Sequence, residues 1–148
     1  MLKAVLELFR NNQDDKPQQH TVKLATAALL SEIIRADRQA DPRELQAYKT
    51  LLNEQFSLPD DELSTLMEEG QSSAEEAVDL VQFTQVINQK CNNNEKQDIL
   101  TDLWKVAYAD ENIAPIEEHI IRRIADLLHI PHSQFIKSKL SVTENHAE

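Results

Sequence analysis

The chain has 148 residues, 41% of them hydrophobic and 28% charged, a composition that folds into one globular domain instead of remaining disordered. Its net charge of −11 sets it against polyanionic nucleic acid, so no nucleic-acid partner is expected. One glycine is too few for the turns of a β-sandwich or small barrel, and one cysteine, Cys91, allows neither an internal disulfide nor a Cys-rich zinc site.

Residues 2–10 read as a short amphipathic helix, with Leu2, Val5, Leu6 and Phe9 along one side. Such a helix docks on its own domain, on a partner or on a membrane surface; no stretch is apolar enough to span a bilayer. Residues 11–20 are polar and hold Pro17, which makes 1–20 a helix plus linker, with the domain proper beginning near Thr21 as an N-cap. Helical spacing of Val22, Ala25, Leu29, Ile33 and Ala36 follows. Asp41-Pro42-Arg43-Glu44 is a strong start signal: a capping residue, a proline in the first turn and a glutamate three residues after the cap. Leu45, Tyr48, Leu52 and Phe56 form the buried stripe of that helix.

Pro59 opens a short helix that Gly70 is expected to end, and Ser72 with Glu75 reads as the next capping box. Val78, Leu80, Phe83, Ile87 and Cys91 mark another helix, with the cysteine as a buried filler. Asn92-Asn93-Asn94 breaks the chain before a helix carrying Ile99, Leu103, Trp104 and Val106. Pro115 starts the next, with Ile116, Ile120, Ile124 and Leu127, and Pro131 introduces the last, with Phe135, Ile136 and Leu140. Residues 21–142 thus form the domain, and 143–148 read as a frayed tail. The fold class is all-α, a single compact bundle of about seven helices.

The chain also resembles itself. At a shift of 73 residues Ala36-Asp37 falls on Ala109-Asp110, Pro42 on Pro115 and Glu44 on Glu117; at a shift of 72, Leu58-Pro59 falls on Ile130-Pro131. The pattern predicts an internal duplication packed about an approximate two-fold axis.

Two acidic inter-helix loops are the candidate chemistry. A carboxylate at a helix C-terminus faces the negative end of the helix dipole, so Asp37 and Asp110 ask for a purpose. One purpose is local, an Asx-turn or a cap for the next helix. The other is a cation. Asp37, Asp41 and Glu44, with Asp110, Glu117 and Glu118, supply hard oxygen ligands suited to a divalent ion of the Ca²⁺ or Mg²⁺ type. Neither loop is an EF-hand, because the glycine and the final glutamate of that loop are missing. No nucleophile–base pair and no His-containing metal cluster is present, so no enzyme is expected and a metal-dependent hydrolase is the least favoured reading.

Leu103-Trp-Lys-Val-Ala-Tyr-Ala-Asp110, Ile113-Ala-Pro-Ile-Glu-Glu118 and Ile120-Ile-Arg-Arg-Ile-Ala-Asp-Leu-Leu-His-Ile-Pro131 resemble the TerB-like family, as do Ile33-Ile-Arg-Ala-Asp37 and Asp41-Pro-Arg-Glu44. The family is named for bacterial tellurite-resistance proteins, and a related domain occurs in membrane-anchored DnaJ-type co-chaperones. The resemblance spans about residues 20–140 and implies an all-helical pseudo-repeat with acidic positions proposed to bind divalent metal: Asp37, Asp41, Glu44, Asp110 and Glu117. The family usually has glycine after each loop aspartate, where this chain has Arg38 and Glu111. The single cysteine and the charged, signal-unlike N-terminus make the cytoplasm the expected compartment. Taken with the resemblance, the expectation is a non-enzymatic TerB-like interaction module in stress or envelope physiology, with a protein partner and either a divalent cation or, as a metal-free scaffold or co-chaperone-like adaptor, caps alone in its acidic loops.

Overall fold

The computed structural model describes residues 16–36 and 41–146, with side chains from 22 to 36 and from 41 to 144. The segment 2–10, read above as an amphipathic helix, lies outside the described residues, as does Asp37. Among the described residues there are seven helices and no strand: α1 (Lys16–Ala36), α2 (Pro42–Phe56), α3 (Asp60–Glu76), α4 (Val81–Lys90), α5 (Asn93–Ala107), α6 (Pro115–Leu127) and α7 (His132–His146). The all-α bundle is as expected from the helical periodicity.

Two helices make the interior. α1 is buried nearly all round from Ala25 to Ile34, and it packs against α2, α3, α4, α5 and α6. A helix with no polar stripe has to sit at the centre of a bundle. Its Ala25, Ala27 and Ala28 keep the surface shallow, so neighbouring axes come close. α5 is the second interior helix, burying Leu100, Leu103, Trp104, Val106 and Ala107 against α2, α6 and α7. Trp104 meets Phe135 of α7 at 5.2 Å between ring centroids, and Lys139 lies 5.7 Å over the indole. Lys139 also pairs with Glu118, which ties the start of α6 to α7 across that tryptophan. Trp104 is therefore a core residue, as its place on the apolar face predicts.

The sole glycine does a different job from the one its sequence position implies. Gly70 does not end a helix; α3 runs through it to Glu76, so Ser72 and Glu75 lie within α3 and form no cap. A Cβ at position 70 would stand 2.6 Å from Ala27 Cβ and 2.6 Å from Tyr48 Oη. Glycine is needed because α1, α2 and α3 converge there. Tyr48 Oη donates to the Met67 carbonyl at 3.0 Å, satisfying the one polar atom that this close approach buries.

Boundaries differ elsewhere. α1 starts at Lys16, not Thr21: Pro17 falls in its first turn, where a missing N–H costs nothing. α7 continues to His146, past the point where fraying was expected. Val78 precedes α4 and is 99% exposed; Asp79 Oδ1 accepts the Val81 N–H at 2.9 Å and starts that helix. Asn92 and Glu95 form a reciprocal capping box on α5, so the Asn triplet is both break and start. Cys91 is the half-buried C-cap of α4, with its thiol pushed up mainly by burial.

Candidate functional site

The α2 start is built on Asp41. Its extended backbone (φ −74°, ψ 131°) turns the side chain back over the helix, and Oδ1 accepts the Arg43 N–H at 2.8 Å. The Arg43 side chain then folds onto the same carboxylate, with Nε 3.2 Å from Oδ1 and Nη2 3.0 Å from Oδ2. The Arg43 side-chain bonds, then its backbone bond, hold the Asp41 carboxyl below its ordinary range. Both oxygens of Asp41 are thus committed within its own turn. One residue on, Glu44 is 0% exposed beneath this cap.

The α6 start has the same outline with a different cap. Asp110 is half-buried, and its Oδ1 accepts the Asn112 N–H at 3.1 Å, an Asx-turn. Glu111 follows with φ 64°, in the left-handed region, its N–H donating to the Tyr108 carbonyl at 2.8 Å. This is where the family usually has glycine, and the backbone conformation gives the reason. Ala114 is the N-cap and has no side-chain oxygen to offer. Only the reverse half of a capping box exists: Glu117 Oε1 accepts the Ala114 N–H at 2.8 Å. Glu117 is 1% exposed, matching Glu44 at the same position of its helix.

The two starts share one end of the bundle. Arg43, Lys105 and Ala109 line a groove of about 430 Å³ between α2 and the end of α5. The Arg43 guanidinium is held charged first by its bond to Asp41, with smaller contributions from Asp110 and Glu111 of the second loop. On α5, below this groove, Asp102 is buried, and burial raises its carboxyl to about 7, with Asp98 and Glu54 adding to the rise and Lys105 opposing it.

The five described candidate ligands therefore separate. Asp41 is bound to Arg43 through both oxygens, and Glu118 faces Lys139 on α7. Asp110 and Glu117 each hold a backbone N–H, and Glu44 is enclosed. Among the described residues no three His, Cys, Asp or Glu side chains gather closely enough to hold a metal ion, and the remaining candidate, Asp37, lies outside them. The carboxylates have the hard-oxygen chemistry for Ca²⁺ or Mg²⁺, but their described bonds are those of helix caps and ion pairs, and that arrangement does not fit a shared ligand set. Sequence reasoning passed over Arg43; its signal was an arginine two residues after a capping aspartate.

Residues 23–140 match the family model described as tellurite resistance protein TerB. The chain belongs to the TerB family. No curated protein and no solved structure matches it. For this TerB-family chain, no helix among the described residues is long and apolar enough to cross a membrane.

Proposed function

We propose that this TerB-family chain is a protein-binding module in stress or envelope physiology, acting without catalysis, whose acidic loops fasten its own helices. The observation that carries the reading is the capture of Asp41 by Arg43 through both carboxylate oxygens, at a groove that α2 shares with the end of α5 beside the second loop. An internal cation already neutralises Asp41, and the second loop closes through the Asp110 and Glu117 cap bonds. The test is binding to a purified, identified partner in the presence of chelator. Unchanged affinity in EDTA supports the module; loss of binding in EDTA, restored by one divalent ion, overturns the metal-free part.

A further inference from the structure

Helix α3 carries seven carboxylates and no Lys or Arg in its 17 residues. A groove of about 390 Å³ runs along its first half, lined by Leu58 and Leu66, by Asp61, Glu62 and Glu69, and by Lys23 of α1. Asp61 and Glu62 are exposed, whereas Leu66 is buried and Leu58 half-buried, so an apolar base lies beside exposed carboxylates. The two helices run in the same direction here: position 70 abuts Ala27, and one turn earlier on each helix Leu66 and Lys23 share the groove. Extended back along both, that register sets Asp61 and Glu62 level with the first turn of α1.

We infer that this α1–α3 groove is the docking site of the chain's own residues 2–10, which lie outside the described residues. Read as a helix, that segment has Leu2, Val5, Leu6 and Phe9 on one side, with Lys3, Glu7 and Arg10 along one edge of it. Residues 11–15 join it to α1 at Lys16. A connection of that length extends to at most about 17 Å, while packed helices lie about 8–10 Å apart, so the segment can double back along α1. Asp14 and Asp15 belong to the connection, so the charge brought to the groove is that of Lys3, Glu7 and Arg10, which is positive. Set level with the first turn of α1, Arg10 meets Asp61 and Glu62, and Val5 and Leu6 come within about 8 Å further along, over Leu58 and Leu66. Glu69 already has a partner, so Lys3 is assigned no anchor there.

Charge and tethering decide between sites and occupants. The groove on the other side of Lys23, about 590 Å³ and lined by Val22, Phe56, Lys90, Cys91 and Glu95, is equally within reach. Its two lysines oppose Lys3 and Arg10, and Glu95 already accepts the Asn92 N–H at 2.9 Å. A short tether holds the segment at an effective concentration on the order of mM, so a contact too weak to recruit a separate protein suffices here. A second copy of the chain carries −11 and gains no such tether. Complementary charge sets the register, and the apolar contact holds it. The inference goes beyond the module reading and does not rest on it: a ligand reaches this acidic groove only by displacing residues 2–10.

Paramagnetic relaxation in the full-length protein tests it. A nitroxide is attached at Ser64→Cys, on the exposed face of α3 beside the groove, or at Gln89→Cys, exposed beside the other groove, each in a Cys91→Ser background. The label at 64 is expected to broaden the amides of residues 2–10, and more strongly than the label at 89. Leu6→Asp with Phe9→Asp should abolish that broadening. Arg10→Glu and Glu62→Lys should each reduce it, and the two together should recover it. No broadening from 64, stronger broadening from 89, or broadening that survives Leu6→Asp with Phe9→Asp overturns the groove as the docking site. So does broadening seen only in a mixture of isotope-labelled and spin-labelled molecules, which assigns the segment to a neighbouring copy. Failure of the paired reversal to recover the signal overturns the contact of Arg10 with the start of α3. None of these outcomes touches chelator-resistant binding to a purified partner, which is what the module reading stands on.

Discussion

α2 and α6 begin alike and are fastened differently. Each has proline in the first position and an enclosed glutamate at the third, Glu44 or Glu117. α2 adds a capping aspartate and an arginine that grips it; α6 has Ala114 at the cap, and its glutamate alone reaches back to the N-cap N–H. Further along, α2 presents Tyr48 to a crowded junction with α1 and α3, while the corresponding residue of α6 is the plain apolar Ile121. The shared features are those that start a buried helix: fixed φ and a carboxylate near the positive end of the helix dipole. The features that differ are side-chain devices that one helix can lack because another bond replaces them.

The comparison breaks most severely at the junction only α2 has. Gly70→Ala drives a methyl group into Ala27 and Tyr48 Oη and is expected to cost roughly 3 kcal/mol. In a Tyr48→Phe background the added penalty should shrink, since one of the two overlapping atoms is gone; chemical denaturation of the four proteins measures the coupling. Glu117→Ala should cost about 1–3 kcal/mol, because the Ala114 N–H loses its acceptor, whereas Glu117→Gln, which keeps an acceptor oxygen, should cost much less.

Asp102 of α5 gives the protein a pH signature. Its folded-state value of about 7 lies above the unfolded value, so the native state binds the extra proton. Its ionisation therefore opposes folding: the penalty is absent below about pH 4, grows between the unfolded and folded values, and is complete above about pH 7. Asp102→Asn should stabilise the protein by on the order of 2 kcal/mol at pH 8 and by little at pH 4, read from denaturant melts at both.

The smallest effects are at the caps. Ala114→Ser supplies the oxygen that α6 lacks and should gain about 0.5–1 kcal/mol, while Asp41→Ala should lower the melting temperature. Glu111→Gly relieves a left-handed residue and should stabilise by about 0.5 kcal/mol. Thermal melts in one buffer rank all three.

Most of the fold could be read from residue pattern. Asp41-Pro42 and Pro115 mark helix starts whose physics is local, and the stripes of α1 and α5 identify interior helices by the width of their apolar faces. Gly70 was misread because its purpose is not local: the crowding comes from Ala27 and Tyr48, both more than twenty residues away. The candidate site was legible as a set of acids and only in part as bonds. The Asp41–Arg43 pair is local and was readable from its spacing of two, whereas nothing in the sequence reveals that Glu118 is held by Lys139 from a different helix.

The central claim is that the loops are fastened by the chain's own caps and by Arg43. Amide NMR of the full-length protein, titrated with Ca²⁺, Mg²⁺, Mn²⁺ and Zn²⁺, tests it most directly. The account predicts no saturable shifts at Asp41–Glu44 or Asp110–Glu118, in the wild type or in Arg43→Gln. Saturable, ion-specific shifts at both loops of the wild type would contradict it and make these carboxylates a metal site.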